Sequence, residues 1–228
     1  MERIVHYTNL HGKQYNDAQF LLGLNFEAWT RTDHVKIRAF FGLLFLCGVL
    51  RASGEPIKSL SNEEEVFQRS IFPATMSRNR FLQILRFLRF DDKATLAIRL
   101  ETDKLAAVSE VSNMINIRLN EVYNPSESLT VDEQLVRFFG RCPFRMYMPA
   151  KPAKYGIKFW VLCDSAHGYC LKFQVYSGRA IGAAPERHQG QRVVFELTEH
   201  LDGGYNITVD NFLQVSNLRN LFYATRTL

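Results

Sequence analysis

Apolar positions recur at helical spacing through the first half of the chain and change period near Leu129. Ile37 to Leu50 is densely apolar and rich in Leu and Phe, and predicts a buried helix. Ser77 can cap a helix whose apolar residues, Phe81, Leu82, Ile84, Leu85, Phe87 and Leu88, fall three and four apart. Arg78, Arg80, Arg86 and Arg89 take the rest of that surface, as a DNA-facing or simply a solvated side. Thr102 predicts the cap of a third helix, through Leu105, Val108, Val111, Ile115 and Leu119, which Asn124-Pro125 ends. The segment Ala52 to Glu65 reads as a loop or a weak helix start.

Beyond Leu129 the pattern predicts strands. Leu129 to Phe138 is the first and Gly156 to Cys163 the second. Asp164 to Gly168 is a turn, which makes Tyr169 to Tyr176 the second arm of a hairpin. Gly178 to Gly190 reads as a loop, Gln191 to Leu201 as a helix, and Asn206 to Asp210 as a short strand. Val215 to Asn220 could start a helix, and Leu221 to Thr225 could be a further strand. The strand–helix–strand order lets the last of these four strands lie parallel beside the first. In such sheets function gathers at the carboxyl ends of the strands.

Composition narrows the class. With 228 residues, 46% hydrophobic and 22% charged, the chain can bury a sizeable core, which excludes wholesale disorder and collagen. Cys47, Cys142, Cys163 and Cys170 form no CxxC pair and no disulfide framework, and they fit a reducing compartment. No apolar signal core opens the sequence. The longest apolar stretch is shorter than the roughly 20 residues a bilayer span takes, so a soluble protein without membrane contact is expected.

The net charge of +5 is unevenly placed. Val131 to Arg192 holds ten Lys/Arg against four Asp/Glu, while the remainder is close to neutral. Residues 134–163 contain no acid and six bases: Arg137, Arg141, Arg145, Lys151, Lys154 and Lys158. Phe138, Phe139, Phe144, Tyr147 and Tyr155 interleave with them, and Pro143, Pro149 and Pro152 keep the middle out of a sheet interior. Phosphate backbones suit such a surface, and bases can stack on it. The other reading is a loop whose aromatics pack inward while its bases face solvent.

Two aspartates sit among β-formers: Asp132 in Leu129-Thr130-Val131-Asp132-Glu133-Gln134, and Asp210 closing Asn206-Ile207-Thr208-Val209-Asp210. On adjacent strands they would repel, and a divalent cation bound by oxygen ligands, Mg²⁺ or Mn²⁺, would resolve that. Two such ions can support phosphodiester cleavage. The alternative makes Asp132 a hydrogen-bonded strand residue and Asp210 a helix cap.

Longer motifs surround these acids. They are Leu129 to Leu135, Gly140-Arg141-Cys142-Pro143-Phe144-Arg145, Lys151 to Lys158, and Asn206 to Phe212. With Ala74 to Phe81 and Arg86 to Asp92 upstream, the chain resembles the piggyBac family of DNA transposases. The resemblance implies an α+β or α/β fold: a helical dimerisation and DNA-binding region over 1–125, then a partial ribonuclease-H-like domain with a mixed sheet over 126–228. It implies cut-and-paste transposition, with hydrolysis at element ends and strand transfer into TTAA targets. Asp132 and Asp210, 78 residues apart, match its first and second catalytic, metal-binding aspartates. The family's third aspartate and its cysteine-rich zinc domain have no counterpart in these residues, so a truncated, inactive transposase fragment that binds Mg²⁺ or Mn²⁺ weakly is expected. The rival expectation is a non-catalytic, domesticated or decaying remnant that binds DNA, a second copy or a full-length transposase. Either would be nuclear, or cytoplasmic before import.

Overall fold

The computed structural model describes residues 1–52, 54–60, 69–178 and 188–210. They form two compact units, Met1–Arg99 and Leu100–Leu228. The expected elements around Val215 and Leu221, and most of the loop after Gly178, lie outside the described residues.

The first unit is helical: α1 (Glu2–Leu21), α2 (His34–Val49), α3 (Ile57–Leu60), α4 (Ile71–Thr75), α5 (Arg78–Phe87) and most of α6 (Lys93–Leu100). Asp33 caps α2 by accepting from the Lys36 N–H, and the Ser77 side chain caps α5 by accepting from the Arg80 N–H. Ile37, Phe40 and Leu43 of α2 pack with Ile84 and Phe87 of α5 around Trp29. The helix read as buried is therefore one-sided, because Val35, Phe45 and Val49 stand exposed on its other face. Dense apolarity specified the helix but not which face would find a partner.

An extended segment over 28–32 is held between α1 and α5. Asn9 and Asn16, two turns apart on α1, exchange paired hydrogen bonds with the backbones of Thr32 and Trp29 at 2.7–3.0 Å. From α5, Arg80 donates to the carbonyls of Thr30 and Arg31 and lies 4.8 Å from the Trp29 ring centroid. Arg86 stacks over Tyr15 at 4.9 Å. Two of the four arginines of that face therefore hold the unit together, a long-range role that helical periodicity does not encode.

The second unit contains α7 (Ser109–Glu121), α8 (Gln189–Thr198) and strands β1 (Ser128–Arg137), β2 (Met146–Met148), β3 (Lys154–Asp164), β4 (Cys170–Val175) and β5 (Asn206–Val209). The third helix starts at Ser109, later than Thr102 predicts. The Asp103 side chain accepts from the Leu105 N–H and turns the chain first. The sheet is mixed, in the order β2-β3-β1-β5, with β4 also on β3. β1 runs antiparallel to β3 and parallel to β5, so the expected neighbouring of first and last strands holds. β2 escaped the sequence reading. It is a three-residue edge strand between Pro143 and Pro149, where the missing proline N–H groups cost no ladder bond.

One sheet face is covered by α8, whose Val193, Val194 and Leu197 pack against Leu129, Val131, Trp160 and Leu162. Each such side chain contributes roughly 1.5–3 kcal/mol on full burial. Asn116 of α7 both donates to and accepts from the Phe173 backbone, capping the free edge of β4. Asp164 closes the β3–β4 hairpin. Its buried carboxylate accepts from the N–H groups of Ser126, Ala166 and His167 and from the Tyr123 hydroxyl. The Ser126 N–H above all holds this carboxyl well below the usual carboxylate range, against the opposing effect of burial. A depressed folded-state pKa supplies stability above the ordinary carboxylate pKa that is lost as pH falls. Asp164→Asn is expected to lower Tm at pH 7, and to leave a shallower loss of Tm below about pH 4 than in the parent chain; parallel acid profiles in thermal melts would contradict the role.

Gly156 of β3 lies opposite Arg137 in the β1–β3 register, and a Cβ there would stand 2.2 Å from the Val136 carbonyl oxygen. A backbone atom cannot rotate away. Gly156→Ala is expected to destabilise the chain by about 1–3 kcal/mol in denaturant melts; a neutral substitution would show that β1 and β3 separate freely at this point.

Candidate metal and nucleic-acid site

Strand alternation sends Leu129 and Val131 into the core and Thr130 and Asp132 to the opposite sheet face. The parallel β1–β5 ladder ends at the pair Val131 and Val209. Asp132 and Asp210 are therefore the next residues on neighbouring strands, at the carboxyl end of β5. One carboxylate oxygen each from Asp132, Glu133 and Asp210 lie within 4.8 Å of one another. Asp132 and Asp210 are exposed, and Asp132 accepts from the Glu133 N–H at 2.7 Å. The structure brings together the two acids that the sequence singled out and adds a third. An all-carboxylate donor set with two exposed members fits Mg²⁺ or Mn²⁺.

Glu133 was not a sequence candidate. Alternation places it on the α8 side, opposite Trp160 in the β1–β3 register. There it faces two cations, the Lys151 ammonium at 3.1 Å and the Lys158 ammonium at 3.9 Å. Lys158 is held 3.7 Å from the Trp160 ring centroid. Burial pushes the Lys158 ammonium down; Glu133, Asp210 and Asp132 pull it up, and Lys151 pushes it down. The doublet Asp132-Glu133 and the acid-free basic run behind it were the available signal.

The cationic segment divides in two. Lys151 and Lys158 turn inward to Glu133. Arg137, Arg141, Arg145 and Lys154 are exposed. Arg137 lies over Phe139 and Arg145 over Tyr155, and Phe139, Tyr147 and Tyr155 are exposed. Tyr147 and Tyr155 are cross-strand neighbours with ring centroids 4.7 Å apart. On the face away from α8 a cleft of about 580 Å³ is lined by Asp132, Thr130, Gln134, Phe159, Cys163 and Phe173.

A family model described as Transposase IS4 matches residues 1–228. The chain belongs to this family in its piggyBac-type form. A human relative, PiggyBac transposable element-derived protein 3, is 27% identical over 184 residues, covering 78% of this chain and 30% of its own length. A solved structure, the piggyBac transposase synaptic complex with hairpin DNA, superposes with a TM-score of 0.77 at 33% identity, over 96% of this chain and 45% of that one. The fold is thus that of a piggyBac transposase, with the mixed sheet in its ribonuclease-H-like catalytic domain. The chain spans less than half the length of these relatives. No helix among the described residues is long and apolar enough to cross a membrane.

Proposed function

We infer that the chain is part of a piggyBac-type DNA transposase, in which Asp132 and Asp210 hold the divalent metal used for DNA cleavage and strand transfer. The observation that carries this reading is the convergence of the Asp132, Glu133 and Asp210 carboxylates within 4.8 Å, inside a fold matched to a transposase solved with DNA. Bound Mg²⁺ or Mn²⁺ would supply charge to stabilise the phosphodiester transition state and would activate a water. The chain's own residues orient that site. The Asp132 carboxylate is fixed by the Glu133 N–H, and Glu133 is fixed by Lys151 and Lys158. The exposed Arg137, Arg141, Arg145 and Lys154, with Phe139, Tyr147 and Tyr155, form the surface for the DNA backbone and unpaired bases. By themselves these 228 residues are expected to bind metal without efficient strand cleavage, since the family pattern positions three aspartates and two match here.

A manganese titration followed by electron paramagnetic resonance tests the assignment. Asp132→Asn and Asp210→Asn are each expected to weaken binding at least tenfold, about 1.4 kcal/mol. Equal affinity in the parent chain and both variants would sink it.

A second reading is favoured by the two lysines on Glu133. They offset the acidic charge without a metal, as suits a non-catalytic remnant that binds DNA or a transposase partner. Its DNA arm is tested by salt dependence. Arg141→Glu with Lys154→Glu is expected to weaken binding to unrelated duplexes alike and to flatten the salt slope by about two units. An unchanged slope would reject this segment as the contact surface.

A further inference from the structure

We propose that Cys163 and Cys170 form a thiol-modification site, a cross-strand pair that a hydroperoxide oxidises to a reversible disulfide. Its basis is the register of the β3–β4 hairpin. Leu162 stands opposite Lys172, and regular antiparallel pairing would set Cys163 against Leu171. A bulge at Leu162/Cys163 skips Leu171 instead and brings Cys170 opposite Cys163. Leu171 is driven into the core, at 1% exposure, and Cys170 comes to line the same cleft as Cys163. Bulges re-aim side chains in this way. Cys163 and Cys170 are thereby cross-strand partners, the placement a disulfide between neighbouring strands needs. Both thiols are free and half-buried, and both line the cleft that also holds Asp132. A small oxidant can therefore reach them.

The two sulfurs differ in readiness. The neighbouring Cys170 thiol lowers Cys163 to about 7, against the opposing effects of burial and of Asp132. Cys170 is raised by Cys163 and by burial, and its thiol donates to the Lys172 carbonyl at 3.7 Å. Cys163 is thus the attacking sulfur and Cys170 the resolving one. The Cys163 thiolate attacks the peroxide, an S–O bond forms as the O–O bond breaks, and the leaving oxygen departs as water after protonation. Cys170 then attacks that sulfur, the S–S bond forms, and the sulfenic oxygen leaves as a second water. Two thiols lose two electrons and hydrogen peroxide gains them. The site does not depend on whether the acids bind metal.

The test is intact and peptide mass spectrometry of the full chain after hydrogen peroxide. The expected product is 2 Da lighter, carries a Cys163–Cys170 linked peptide, and reverts with dithiothreitol. Cys47 and Cys142 should still alkylate. In Cys170→Ser, Cys163 should instead gain one or two oxygens. Over-oxidation of both thiols in the parent chain without a link, or a link to Cys142 or to a second chain in their place, would overturn the proposal. The parent-chain measurement decides the matter even if the variant fails to fold.

Discussion

Three carboxylates within 4.8 Å of one another repel unless positive charge is close, and the second unit is arranged around that constraint. The parallel pairing of β1 with β5 creates it, because the ladder stops one residue short of Asp132 and Asp210 and leaves them side by side. The antiparallel pairing of β1 with β3 partly answers it. That register brings Lys158 to the α8 side of Glu133, where Trp160 holds its ammonium. The turn after β2, in which the Lys151 N–H donates to the Met148 carbonyl, brings Lys151 to the same carboxylate. Glu133 is thereby paired with two ammonium groups, and the exposed Asp132 and Asp210 share in the field of Lys158. On the proposed reading Asp132 and Asp210 take the external cation and Glu133 is the brace.

Much of this was legible in the chain itself. The Ser77 cap, the β3–β4 hairpin and the helix before β5 are local in sequence, and their signals are cap residues, turn residues and period. The neighbouring of first and last strands followed from the strand–helix–strand order. Glu133 was missed for a physical reason. Alternation assigns it to the opposite face from Asp132, and only the end of the β5 ladder lets both reach one point. Lys151 and Lys158 looked the same as Arg141 and Lys154 in the basic run. Their partner is fixed by the β1–β3 register, which a single strand does not announce.

The first unit carries the same lesson. Arg80 and Arg86 read as a basic helix face, yet they serve the extended segment over 28–32 and Tyr15. That segment has no secondary structure of its own. It owes its place to Asn9 and Asn16 on α1, and to Gly12 between them, where a Cβ would stand 2.1 Å from the Trp29 ring. Charge counting therefore overstates the surface available to DNA in both units. In the basic run the exposed cations are Arg137, Arg141, Arg145 and Lys154, of which Arg137 lies over Phe139 and Arg145 over Tyr155.

The central claim is that Asp132 and Asp210 share a divalent metal. A crystal of the chain grown with manganese, and its anomalous difference map, tests this most directly. The expected result is a peak at the Asp132 and Asp210 carboxylates, with Lys158 still on Glu133 and Trp160. A map with no peak between those aspartates, and the Lys158 ammonium lying between them instead, would contradict it.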